Sequence, residues 1–199
     1  MTTDGEDEML SPMPRATAAG DGPVRGGQVR VELIRSELRA DGVLDTGSFA
    51  RLSDYVNSLS GFCHLREARV RTATGDTGAG RLDLHIKLDE IALIAQTRIP
   101  LRPVAADHFV PKSTHRLLFV TPALLVTGLA YLHAQASLDA FIDASDPAFI
   151  PLTQVRVRRL SGEPVGTYPF ALLQRRHIVG VAEEAVPARM ARRARSVAS

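Results

Sequence analysis

Residues 117–132 read LLFVTPALLVTGLAYL, 16 residues without a charge, and how this run is read decides the fold. Taken alone it invites a membrane span. A spanning helix needs about 20 mainly apolar residues, and this run is shorter and interrupted by Pro122 and Gly128. It also has a counterpart elsewhere in the chain. Sliding the sequence by 86 residues aligns Arg30 with Arg116, Leu38 with Leu124, Gly42 with Gly128, Ala50 with Ala136 and Leu52 with Leu138. The counterpart of the apolar run, residues 31–46, carries Glu32, Arg35, Glu37, Arg39, Asp41 and Asp45. A hydrocarbon core does not accept such a segment, and homologous segments share a fold. Residues 117–132 therefore read as two strands buried on both faces, and no membrane span is expected.

The self-similarity continues past one inserted residue with an offset of 87. Phe62 meets Phe149, Leu65 meets Leu152, Arg69-Val70-Arg71 meets Arg156-Val157-Arg158, and Gly75, Ile91 and Ala95 meet Gly162, Ile178 and Ala182. These are 13 identities between residues 29 and 96 and their partners. Each unit reads alike. Val29, Val31 and Leu33 alternate with Arg30 and Glu32, the period of a half-buried strand, and a second strand spans 38–44 with a bend at Asp41-Gly42. Leu52, Tyr55, Val56 and Leu59 then recur at helical spacing, echoed by Leu138, Phe141 and Ile142. A strand over 65–72, a turn at Thr74-Gly75-Asp76 and a last strand over 84–95 complete the unit. The expected fold class is α+β, with two tandem strand-strand-helix-strand-strand repeats, mainly antiparallel, forming a pseudo-symmetric pair.

The expected boundaries follow from composition. Residues 1–27 hold Asp4, Glu6, Asp7, Glu8 and Asp21 against Arg15 and Arg25. With little apolar surface, they read as a disordered acidic tail of net charge −3. The first domain covers 28–96, a linker with Pro100, Pro103 and Pro111 covers 97–113, and the second domain covers 114–184. Residues 185–199 form an arginine-rich tail, with Arg189, Arg192, Arg193 and Arg195 as candidate contacts for nucleic acid, an anionic membrane surface or an acidic partner. No stacking aromatic is interleaved among these arginines, so nucleic acid is a disfavoured partner. The start of the chain lacks a secretory signal pattern, which makes a cytoplasmic location the expectation.

Few motifs point to catalysis. The single cysteine, Cys63, precedes His64, but the pair aligns with Ile150-Pro151 and reads as the buried start of a strand. The six histidines are scattered, without ligand spacing for a metal. Residues 75–80, GDTGAG, lie between strands and read as a hairpin loop, and neither a phosphate-binding loop nor a hydrolase or zincin signature occurs. Ser53-Asp54 and Asp139 read as helix-start residues. No cofactor or metal ligand is assigned. The paired arginines stand out, because residues two apart on a strand share a face. Arg69 with Arg71, and Arg156 with Arg158, are candidate anion or partner contacts. Arg175 and Arg176 are further candidates, confined to the second unit.

The stretch Arg51-Leu52-Ser53-Asp54-Tyr55-Val56-Asn57, followed by Phe62 and Leu65, resembles a small uncharacterised bacterial domain. That domain reads R-L-S-D-[FY]-[LIV]-N, then F-[IL]-x-L-[TRK]-x-[AV]-x-V and F-[LA]-x-[LV]-x-[RK]-x-[HQ]-I. The second unit matches its later parts at Phe149-Ile150-Pro151-Leu152-Thr153-Gln154-Val155 and at 170–178, but keeps only Leu138, Phe141 and Ile142 of the helix motif. The resemblance implies two copies of the domain, and no catalytic residue.

The leading functional expectation is a non-catalytic interaction or scaffold protein that binds a protein partner or itself. Its candidate surface is the apolar hairpin, with Leu117, Phe119, Leu124, Leu125, Leu129 and Tyr131. The alternative is a regulatory module in which Arg69, Arg71, Arg156 and Arg158 together hold an anionic small molecule near the domain junction.

Overall fold

A computed structural model describes residues 27–72, 75–98, 112–133 and 135–184. In chain order the elements are β1 (Gln28–Ile34), β2 (Leu38–Asp45), α1 (Leu52–Ser58), β3 (Phe62–Thr72), β4 (Gly75–Asp76), β5 (Leu82–Lys87), a 3-10 turn (Leu88–Glu90) and β6 (Leu93–Gln96). There follow β7 (Lys112–Val120), β8 (Leu124–His133), α2 (Leu138–Asp143), β9 (Phe149–Arg159), β10 (Pro164–Gln174), a second 3-10 turn (Arg175–His177) and β11 (Gly180–Glu183). Apart from β4, the order of elements after Lys112 follows the order before it. The fold is α+β, a mostly antiparallel sheet with two short helices. Among the described residues no helix is long and apolar enough to cross a membrane.

The strands form one sheet in the order β11-β7-β8-β9-β10-β6-β1-β2-β3-β4, with β5 paired to β3. The two halves are therefore joined edge to edge. At the seam β10 pairs with β6 through Phe170–Gln96, Ala171–Ala95, Leu172–Ile94 and Leu173–Leu93. Because successive residues of a strand point to opposite faces, β6 and β10 serve two cores at once. Leu93, Ala95, Ala171 and Leu173 enter the core of the second half with Phe119 and Leu152. Ile94 and Leu172 enter that of the first half with Leu33, Leu44 and Leu65. All four residues of β6 are buried, as expected of a strand covered on both faces.

Several details differ from the sequence reading. The strand expected over 84–95 is two strands, because the 3-10 turn at Leu88–Glu90 redirects the chain from β5 into the seam. β3 begins at Phe62, earlier than expected. It bends at Glu67 (φ 51°), as β9 does at Gln154 (φ 51°), and the register shifts beside each, opposite Gly42 and Gly128. One extra residue in a paired strand produces such a bend. The hairpin of β7 and β8 confirms strands in place of a membrane helix, but burial on both faces is corrected. Buried and half-exposed residues alternate along both strands, so one face only is covered. Residues 1–26, 99–111 and 185–199, with the calculated tail charges, most of the expected linker and Arg189, Arg192, Arg193 and Arg195, lie outside the described residues, as does Thr74 of the expected turn. Lys112 and Ser113, assigned to the linker, open β7 instead.

Candidate functional site

Strand register builds the first candidate site. Glu32 lies opposite Asp41 and Ile34 opposite Arg39, while Asp41 and Arg39 lie opposite Arg69 and Arg71 of β3. Directly opposed residues share a face, so Glu32, Arg39, Asp41, Arg69 and Arg71 gather on one side of β1–β2–β3. Glu32 is 5% exposed, and a buried carboxylate needs dense compensation. It accepts hydrogen bonds from Arg39 Nε at 2.7 Å, Arg71 Nη2 at 3.2 Å and, across the seam, the Tyr168 hydroxyl at 2.6 Å. Arg71 also pairs with Asp41 at 2.9 Å. Burial, and then the hydrogen bond to the Glu32 carboxylate, push the Tyr168 hydroxyl far above its ordinary value. It therefore stays a donor.

Beside this cluster an open groove of about 410 Å³ is lined by Arg30, Arg69, Arg71 and Arg98 together with Glu32 and Asp41. The two arginine pairs expected to share one anion site do not meet in it. β9 and β3 are separated in the sheet by β10, β6, β1 and β2. Arg69 and Arg71 enter the groove, whereas Arg156 and Arg158 stand exposed in the second half, opposite Thr127 and Leu125 of β8. A reading of spacing along one strand holds no information about which strands lie between two units.

The second candidate site is the outer face of β7, β8 and β9. Register places Val120 opposite Leu125, Leu118 opposite Thr127 and Arg116 opposite Leu129. These positions correspond, at the offset of 86, to the polar cluster of the first half. Leu118 stands for Glu32, Leu125 for Arg39 and Thr127 for Asp41. Arg69 and Arg71 are kept as Arg156 and Arg158 while Arg39 and the two acids are not, and among the described residues neither Arg156 nor Arg158 has an ion-pair partner. Leu118, Val120, Leu125 and Leu129 are half-buried and Tyr131 is 46% exposed, its hydroxyl 3.1 Å from that of Thr153. Of the expected interaction surface, Leu117, Phe119 and Leu124 are corrected to core. They point inward and are almost fully enclosed.

Other candidates resolve into structural roles. Arg175 donates to the carbonyls of Phe141, Ile142 and Pro147 and lies over the Phe141 ring at 5.2 Å, so it closes the C-terminal end of α2 and is not an anion contact. Arg176 pairs with Asp89 of the first half at 2.7 Å. That hydrogen bond is the main reason the Asp89 carboxyl lies below its ordinary range. Cys63 is buried and its thiol is pushed up to about 11 by burial, while His64 faces outward and stacks on His85 at 4.4 Å between ring centres. A thiolate–imidazole pair therefore does not form. Ser53 and Asp54 provide no cap for α1, although Asp54 lies in its first turn, and α2 is capped by Ser137, which accepts from Ala140 N–H. Among the described residues no group of three or more His, Cys, Asp or Glu gathers as metal ligands would.

Sequence reasoning missed Tyr168 and the role of Asn57. The Asn57 side chain accepts from Phe149 N–H at 2.9 Å and donates to the Phe149 carbonyl at 3.2 Å, clamping α1 to β9. Its place at the end of the Arg51–Asn57 motif was the available signal, since a polar residue next to a buried helix stripe needs a partner. Comparison with protein-family models, with curated proteins and with solved structures finds no match to the chain.

Proposed function

We propose that the protein is a cytoplasmic, non-catalytic interaction module built from two tandem copies of one small unit, and that it self-associates through the outer face of β7–β8–β9. The tandem reading is supported by the repeated element order and by the bends at Glu67 and Gln154, 87 residues apart. One observation carries the docking reading: among the described residues Arg156 and Arg158 stand unpaired beside a largely apolar face, where the equivalent arginines of the first half meet acids.

The face also holds a complement to itself. Ala182 lies opposite Leu118, and Glu184 N–H donates to the Arg116 carbonyl, so Glu184 sits on the same face at its far edge. A two-fold axis parallel to the strands sets β9 of one copy over the β11 edge of the other, with Val120 against Leu125, Leu118 against Thr127, and Glu184 two residues along the strands from the level of Arg156, within reach of its long side chain. Light scattering after size exclusion tests this. The full chain is expected at twice 21.5 kDa, and Leu125→Glu at 21.5 kDa with an unchanged circular dichroism spectrum. A wild-type chain that stays monomeric at high concentration overturns the reading.

A further inference from the structure

The groove on β1–β2–β3 lies in the half of the molecule away from the docking face, and its argument is independent of that face. Four arginines line it, Arg30, Arg69, Arg71 and Arg98, with two carboxylates, Glu32 and Asp41, while Asp76 lies 3.9 Å from Arg69. Both carboxylates are already engaged. Glu32 serves Arg39, Arg71 and Tyr168, and Asp41 serves Arg71. Even so, the Nε–H groups of both Arg30 and Arg71 are buried without any acceptor. Buried donors in native proteins find partners, and two unpartnered Nε–H groups on residues that line one groove show that its donors outnumber the acceptors the chain supplies.

We propose that this groove binds a phosphate-type dianion. A tetrahedral oxyanion offers acceptors in several directions, which suits donors that approach from β1 and β3, whereas a planar carboxylate offers two oxygens in one plane. Guanidinium groups hold such an ion by charge and by directed hydrogen bonds together. About 410 Å³ exceeds what a bare phosphate fills and lies within the range of small-molecule sites. The ligand class is therefore the phosphomonoester of a small organic group. Inorganic phosphate shares the recognised chemistry.

Isothermal titration of the full chain with inorganic phosphate and with glycerol 3-phosphate, at fixed ionic strength, tests the site. Saturable binding is expected for both, tighter for the ester. Equal affinity for the two would assign the site to the free ion. Arg30→Gln is expected to weaken binding by at least about tenfold, the loss of one charged hydrogen bond. Arg69→Gln weakens it also and serves if Arg30→Gln does not fold. Arg156→Gln, which belongs to the docking face, leaves binding unchanged. Heats that do not saturate, or an Arg30→Gln protein that binds as the wild type does, overturn the proposal whatever the oligomeric state.

Discussion

The hydroxyl of Tyr168 donates to Glu32 Oε2 at 2.6 Å, which ties a residue of β10 to one of β1 that lies 136 positions away in the chain. The bond makes the sheet seam specific. The main-chain pairing of β10 with β6 tolerates many side chains, but a buried carboxylate accepts only a neighbour that donates to it.

Tyr168→Phe is expected to destabilise the protein by about 1–3 kcal/mol in urea unfolding, because Glu32 stays buried with one donor fewer. A double-mutant cycle with Glu32→Gln should show a coupling of about 0.5–3 kcal/mol. Additive effects would mean that the two residues act independently.

Asn57 holds both main-chain groups of Phe149. Asn57→Asp keeps the acceptor and loses the donor, placing a carboxylate against the Phe149 carbonyl. The expected cost is about 1–3 kcal/mol, and urea unfolding beside the wild type checks it. Unchanged stability would remove the clamp.

Gly42 and Gly128 occupy matching places opposite the two bends, but their surroundings differ. A Cβ on Gly42 would lie 2.7 Å from the Arg66 carbonyl oxygen and 2.7 Å from Leu65 Cγ, whereas one on Gly128 would meet nothing closer than 3.2 Å, at Leu152 Cβ. Gly42→Ala is expected to cost about 1–3 kcal/mol by overpacking and Gly128→Ala distinctly less. Thermal unfolding of the two variants gives the order, and the reverse order would contradict the packing described.

Leu124 and Leu125 are neighbours on opposite faces of β8. Leu124→Ala should cost about 2–5 kcal/mol as a core deletion. Leu125→Ala should cost much less, with its effect on self-association instead. Chemical unfolding run beside light scattering separates the two. Equal stability losses would place Leu125 in the core.

Stability also depends on alkaline pH. The Cys63 thiol rises from 9.0 to about 11 on folding. A group whose pKa is higher in the folded state stabilises in full below its unfolded value and loses that contribution as pH climbs through the folded one. Stability should fall from pH 9 towards 11, and Cys63→Ala should flatten that limb. Tyr168, also shifted upward, adds a decline that begins above 10.0. An alkaline limb that Cys63→Ala leaves unchanged would rule out the thiol as its source.

Local order alone determined much of this protein. The alternation of Val29, Val31 and Leu33, the stripe of Leu52 and Val56, and the glycines at 42 and 128 express period and backbone freedom, which act over a few residues and can be read in one dimension. The same periodicity showed that Arg69 and Arg71 share a face. Only the tertiary structure decided which faces are covered. Leu118 and Leu125 carry the same apolar signal as Leu117 and Leu124, yet one set is core and the other half-exposed. That difference depends on the β10–β6 seam, which joins residues distant in sequence. The same long-range pairing brings Tyr168 to Glu32, Asn57 to Phe149 and Arg30 to the groove of Arg69 and Arg71. Which strands become neighbours is a balance summed over the whole chain, and no short stretch of sequence contains it.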